Sequence, residues 1–218
     1  MKHILFDLDG TLVDTAPDLA NSLNAVRQEK GLKRLSLSTI RPTVSLGGNA
    51  MIKLAFGLEE KDEGFEEIRE AFLQHYYDNI VNESTMFENM ETVLKHIEDN
   101  KFQWGIVTNK SEWLTKPLVI EMGLDKRAAC IVCGDTTEHR KPHPAPLIHA
   151  CKKMNVEPED TIYIGDAERD IEAGRRAGTK TIAALYGYIE ADNNPELWQA
   201  DHYVNTPIEI IDAIANIN

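Results

Sequence analysis

Five apolar runs along the chain are continuous rather than alternating: HILFDL (3–8), QWGIVT (103–108), CIVC (130–133), TIYIG (161–165) and TKTIAAL (179–185). A strand wetted on one face alternates apolar with polar residues, whereas a strand covered on both faces does not, so these runs predict fully buried strands. Between the later runs the pattern predicts helices over about 112–123, 144–154 and 168–177, with Gly123 and Gly178 at helix C-caps. Strands that alternate with helices pair in parallel and carry their crossovers on the sheet faces. The expected class is therefore α/β, a Rossmann-like parallel sheet, ended by an amphipathic helix in TPIEIIDAIANIN.

The first two runs are separated by far more chain than one crossover needs. Residues 15–85 are helical in pattern: TAPDLANSLNAVRQEKGL has Thr15 as an N-cap, Pro17 in the first turn and Gly31 as a stop, and FEEIREAFLQHYYDNIV repeats apolar residues at helical spacing. This predicts a helical cap over 15–85 inserted into a core made of 1–14 and 86–218.

Composition narrows the function. The 218 residues are 42% hydrophobic and 27% charged, an ordinary balance for a globular protein. Asp and Glu outnumber Lys and Arg by 36 to 23, and the net charge of −13 argues against nucleic acid as a partner. A small anionic substrate fits only if its site carries local positive charge. No stretch approaches the roughly 18 apolar residues of a membrane span, and the apolar run in MKHILFDLDG is too short for a signal peptide. A cytoplasmic location is expected. Cys130, Cys133 and Cys151 suggest a reducing compartment. The CIVC pair is expected to be buried and inert, because strand residues three apart face opposite ways and no second CxxC completes a zinc site.

Ligands of open parallel sheets bind beyond the carboxyl ends of the strands. The residues there are Asp7 and Asp9 after the first run, Thr108 and Asn109 after the second, Lys141 after the third, and Asp166 and Asp170 after the fourth. Singly, each has an ordinary explanation as a turn, a helix cap or a solvated charge. Their convergence on one sheet edge favours chemistry. Clustered carboxylates are tolerable around a divalent cation, and hard oxygen ligands suit magnesium. Magnesium, the Lys141 ammonium and the Thr108 hydroxyl would then hold a phosphate dianion. One carboxylate could attack phosphorus while the other moves protons.

In order, the stretches DLDGTLVDT, VTNK, RKPHPAP and GDAERD resemble the four motifs of the haloacid dehalogenase superfamily. The resemblance spans the chain and includes the cap's insertion point. It implies an aspartyl-phosphate mechanism with Asp7 as nucleophile and Asp9 as general acid/base. It implies magnesium held by the Asp7 carboxylate, the Asp9 backbone carbonyl and Asp166, with Asp170 ligating or orienting bound water. Thr108 and Lys141 would grip phosphate, with Asn109 alongside. Within the superfamily the chain is similar to the phosphoglycolate phosphatase group, and WGIVTNK, GDTTEHRKPHPAPL and ALYGYI look closer to N-acetylmuramic acid 6-phosphate phosphatases. GDAERD departs from the GDSxND of many phosphoglycolate phosphatases, so Ala167 lacks a hydroxyl that could orient a neighbouring acid.

A magnesium-dependent phosphomonoesterase acting on a small carboxylated phosphate ester is therefore expected. A phosphomutase would share the site, and a 2-haloacid dehalogenase would leave Asp9, Asp166 and Asp170 without purpose. Substrate choice is assigned to the cap, where RPTVSLGGNAM places Arg41, Ser45, Gly47 and Gly48 as candidate substrate contacts and Asn49 as a helix cap. The GYIEADNN loop (187–194) is a further candidate contributor, and His139 and His143 are expected to be solvated rather than ligating.

Overall fold

In the computed structural model, which describes residues 3–217, the chain forms a six-stranded parallel sheet with helices on both faces and a helical segment inserted near its start. In chain order the elements are β1 (His3–Phe6), β2 (Val13–Asp14), α1 (Ala16–Glu29), α2 (Leu37–Ile40), α3 (Gly48–Phe56), α4 (Phe65–Asp78), β3 (Thr85–Met86), α5 (Met90–Asp99), β4 (Trp104–Val107), α6 (Glu112–Glu121), β5 (Ile131–Val132), α7 (Ala145–Met154), β6 (Thr161–Gly165), α8 (Glu168–Ala177), β7 (Lys180–Ala184), β8 (His202–Val204) and α9 (Glu209–Asn216). A 3-10 turn over Arg41–Leu46 joins α2 to α3.

The sheet order is β5-β4-β1-β6-β7-β8, which puts β1 between β4 and β6 with Ile4 opposite both Trp104 and Ile162. Ile4, Leu5 and Phe6 are wholly buried because both faces of β1 are covered. Ile4 and Phe6 join the large cluster that runs from Trp104, Ile106 and Ile164 into the inserted helices at Leu23, Phe72 and Tyr76. Leu5 points the other way, into a second cluster with Val107, Val132, Leu147 and Tyr163. Two-sided burial is why these strands read as unbroken apolar runs.

Two features differ from the sequence expectation. The sheet has a sixth strand, β8, whose His202 and Tyr203 stay half-buried. An edge strand needs no continuous apolar run, so the pattern did not reveal it. The two crossings into and out of the inserted helices also pair with each other: β2 and β3 form a short antiparallel ribbon, Val13 opposite Met86 and Asp14 opposite Thr85. Asp18 of α1 is buried and fastens this ribbon, its carboxylate accepting from the N–H groups of Glu83 and Ser84 and from the Ser84 hydroxyl at 2.6–3.1 Å.

The three cysteines are free and buried, and burial pushes the Cys130 thiol up to about 11. No helix among the described residues is long and apolar enough to cross a membrane.

Candidate active site

The carboxyl ends of β1, β4 and β6 bring Asp7, Thr108 and Asp166 to one edge of the sheet, all buried. Asp170, in the first turn of α8, completes the group. Asp7, Asp166 and Asp170 each offer a carboxylate oxygen within 4.8 Å of the others. Three buried acids this close repel strongly unless cations intervene.

Lys141 is one such cation. Its ammonium lies 2.9 Å from Asp7 Oδ1 and 2.8 Å from Asp170 Oδ1, and it donates to Val107 O (2.9 Å) and the Tyr163 hydroxyl (2.6 Å). The loop carrying it, with a cis Lys141–Pro142 peptide, is held by Asn109. The Asn109 amide donates to Lys141 O at 2.9 Å and accepts from Lys141 N at 3.0 Å. The side chain of Asn109 therefore positions Lys141, while Thr108 Oγ1 accepts from Lys110 N at 3.1 Å.

The acids are not equivalent. Burial drives Asp7 up to about 7 despite the opposing pull of Lys141. Burial also raises Asp166, with Asp170 adding to it. For Asp170, burial is outweighed by Lys141, Arg169 and the Ala167 N–H, which hold it below the usual carboxylate range. The Ala167 N–H donates to Asp170 Oδ2 at 3.1 Å and orients that acid from the backbone. Two carboxylates held up by burial and a donor set made only of oxygens fit a hard divalent cation.

Asp166 is gripped from three segments: Thr11 Oγ1 donates at 2.9 Å, Tyr188 N at 2.9 Å and Ser45 Oγ at 2.7 Å. Gly10 makes room for it. With φ of +86°, Gly10 sits where L-residues are strained, and a Cβ there would lie 2.4 Å from Asp166 Oδ2.

Asp9 lies further out, with 17% of its side chain exposed, and its Oδ1 accepts from Thr15 Oγ1 (2.6 Å) and from the Lys110 ammonium (2.8 Å). Thr15 precedes α1 as expected, but its hydroxyl serves Asp9 and makes no helix cap. Lys110 also donates to Tyr76 OH of α4 at 3.0 Å, a link from the sheet edge to the inserted helices. Burial would lower Lys110, but Asp9 and Tyr76 hold it well above the usual lysine range.

Asp7, Asp9, Thr108, Asn109 and Lys110 border a cleft of about 410 Å³ between the sheet edge and the insert. Its floor includes Asp7, Asp9, Thr108 and Asn109; Ser45, Gly47 and Gly48 line it from the insert, beside Leu46, Phe72 and Trp113. Arg41, expected as a candidate substrate contact, is engaged elsewhere in this structure. It pairs with Asp14 Oδ2 at 2.7 Å and lies over the Tyr188 ring instead of lining the cleft. The arginines that do line it are Arg69, Arg140 and Arg169. Asn49 does not cap α3; it lies within that helix and donates to Glu60 Oε1. His139 and His143 are exposed with ring centres 4.4 Å apart, and His143 Nδ1 accepts from Ala145 N.

Residues 4–184 match the family model of the haloacid dehalogenase-like hydrolases. The chain belongs to that family. An N-acetylmuramic acid 6-phosphate phosphatase of Pseudomonas putida is 41% identical over 96% of this chain and 94% of its own. A phosphoglycolate phosphatase of Xanthomonas campestris is 40% identical over 96% and 94%. The crystal structure of a predicted phosphoglycolate phosphatase from Haemophilus somnus superposes with a TM-score of 0.86 at 26% identity, covering 98% of each chain.

Several residues of this haloacid dehalogenase-like hydrolase site were not singled out from sequence. Lys110 and Arg169 lie inside VTNK and GDAERD, so a charge within a motif was the available signal. Tyr163 lies mid-strand, Tyr188 in the 187–194 loop and Thr11 beside Asp9. Nothing in one-dimensional spacing points them at Lys141 or Asp166.

Proposed function

We propose that the protein is a magnesium-dependent phosphomonoesterase that works through an aspartyl-phosphate on Asp7, with the inserted helices as a cap. The observation that carries this reading is the meeting of the buried Asp7, Asp166, Asp170 and Lys141 at one sheet edge, with Asp7 opening into the cleft.

Asp7 and Asp166 would hold the magnesium ion, with the Asp9 backbone carbonyl as a further protein ligand and Asp170 ligating it or orienting its bound water. Bound there, the ion supplies positive charge against the phosphate oxygens. Thr108 and Lys141 orient the phosphoryl group. The Asp7 carboxylate attacks phosphorus, and the bond from phosphorus to the ester oxygen breaks. Asp9 gives a proton to that departing oxygen, then removes one from the water that attacks phosphorus and frees Asp7. The cleft-side position of Asp9, braced by Thr15 and Lys110, suits a group that must face the leaving oxygen. In the first step Asp7 must be ionised and Asp9 protonated.

The preferred substrate is N-acetylmuramic acid 6-phosphate. A cleft of about 410 Å³ with Leu46, Leu73 and Trp113 on its wall suits a substituted sugar better than a two-carbon acid, and Arg69 and Arg140 offer partners for a carboxylate. The test is phosphate release from this ester and from 2-phosphoglycolate, in magnesium and in excess chelator. The sugar phosphate should win, and chelator should stop both. Phosphoglycolate winning by about tenfold in kcat/KM would overturn the substrate and leave the chemistry; full activity in chelator would overturn the mechanism.

A further inference from the structure

Lys141 is fully engaged, by Asp7, Asp170, Val107 O and Tyr163 OH. A second cation stands beside the same acids. Arg169 occupies the second position of α8, between Asp166 and Asp170, and borders the cleft together with Asp7, Thr108 and Asn109.

Its contacts are unusual for a guanidinium. Nε is buried without a hydrogen-bond partner, and among the described residues the group interacts with Asp170, Asp7 and Asp166 only through charge. Those acids have other donors. Asp7 Oδ1 takes Leu8 N and Lys141, Asp166 takes Thr11, Ser45 and Tyr188 N, and Asp170 takes Lys141 and Ala167 N. The acids therefore hold Arg169 at the cleft without satisfying its fork of donors. A cation in the first turn opposes the helix dipole, and although the three acids favour the charge, the buried Nε–H has no acceptor and loses hydration. A group kept in such a position is explained by a ligand that completes it, and a planar fork of N–H groups matches an oxyanion.

We infer that Arg169 is a phosphate-binding residue, its guanidinium gripping oxygens of the phosphoryl group seated over Asp7. The inference rests on the phosphomonoesterase reading and adds a residue to it. Lys141, which already neutralises Asp7 and Asp170, orients the phosphoryl group, and Arg169 adds donors of its own to the incoming dianion.

The test is calorimetric titration of inorganic phosphate into the full-length protein in magnesium, for wild type, Arg169→Gln and Arg169→Lys. Loss of a charge-assisted pair should weaken phosphate binding by about tenfold or more in the Gln variant, with the Lys variant in between. Thermal unfolding without phosphate should leave the Lys variant, which keeps a charge beside the three acids, about as stable as wild type, so that its loss of phosphate affinity reports the missing fork of donors and not a lost charge pair. Turnover of N-acetylmuramic acid 6-phosphate and of N-acetylglucosamine 6-phosphate, which lacks the carboxylate, should fall by similar factors. Phosphate affinity within about threefold of wild type, or absent from wild type altogether, overturns the inference. So does a loss confined to the carboxylated ester, which would place Arg169 on the carboxylate instead. If the Gln variant does not fold, the Lys variant decides by the same criteria. A wild type that binds phosphate but hydrolyses no ester defeats the proposed function and leaves Arg169 to be judged on binding.

Discussion

Lys141 Nζ lies 2.9 Å from Asp7 Oδ1, yet burial still pushes Asp7 up to about 7, because it costs the carboxylate more than the ammonium returns. The folded-state value is raised above 3.8, so the folded protein holds this proton more tightly than the unfolded chain. Stability from Asp7 is thus highest at low pH and is lost as pH rises through about 7. In chelator, Asp7→Asn should gain on wild type as pH rises from 5 to 8. Urea unfolding at the two pH values checks this, and a gain toward low pH would contradict it.

Asp7→Asn should lower phosphate release by more than about 10³-fold with the fold retained, since an amide cannot attack phosphorus. Asp9→Asn should be impaired most with poor leaving groups, which need the proton. Comparing an alkyl ester with p-nitrophenyl phosphate separates the two roles. Equal loss on both esters would remove Asp9 from proton transfer.

Gly10→Ala should strike the acid cluster directly. Its Cβ would fall 2.4 Å from Asp166 Oδ2, and its φ of +86° is strained for alanine. A destabilisation of about 1–3 kcal/mol is expected, and half-saturation by magnesium should need about 10–100 times more metal. Magnesium titration of phosphate release gives the second number; an unchanged midpoint would show that Asp166 does not hold the ion.

Lys110 ties Asp9 to Tyr76 of α4, so its removal should cost stability as well as activity. Because Asp9 keeps 17% side-chain exposure and the Thr15 hydroxyl, Lys110→Met should cost about 2–3 kcal/mol, at or below the low end for breaking a buried pair. A double-mutant cycle with Tyr76→Phe, followed by chemical unfolding, should show coupling of about 0.5 kcal/mol or more. Simple additivity would mean that Lys110 does not join the insert to the sheet edge energetically.

Much of the fold was legible because burial on both faces of a parallel strand leaves a one-dimensional trace. TIYIG was expected as a strand at 161–165 and is β6 over the same residues, and the helix expected at 168–177 is α8. β8 escaped because an edge strand leaves no such trace, and the β2–β3 ribbon because two residues make no pattern. The pairing of Arg41 with Asp14 and the Tyr188 ring was not legible, because those partners are distant along the chain.

Local order along the chain determined the α/β class, the inserted helices and the set of acids at the strand ends, since each depends on periodicity or on where an apolar run stops. Tertiary structure decided how those groups are shared. It set Lys141 between Asp7 and Asp170, brought Ser45 and Tyr188 onto Asp166, joined Lys110 to Asp9 and left Arg169 Nε without a hydrogen-bond partner. Such contacts depend on distances of a few ångströms between residues more than 120 positions apart along the chain. Spacing along one chain carries no record of which of several nearby donors reaches an oxygen first.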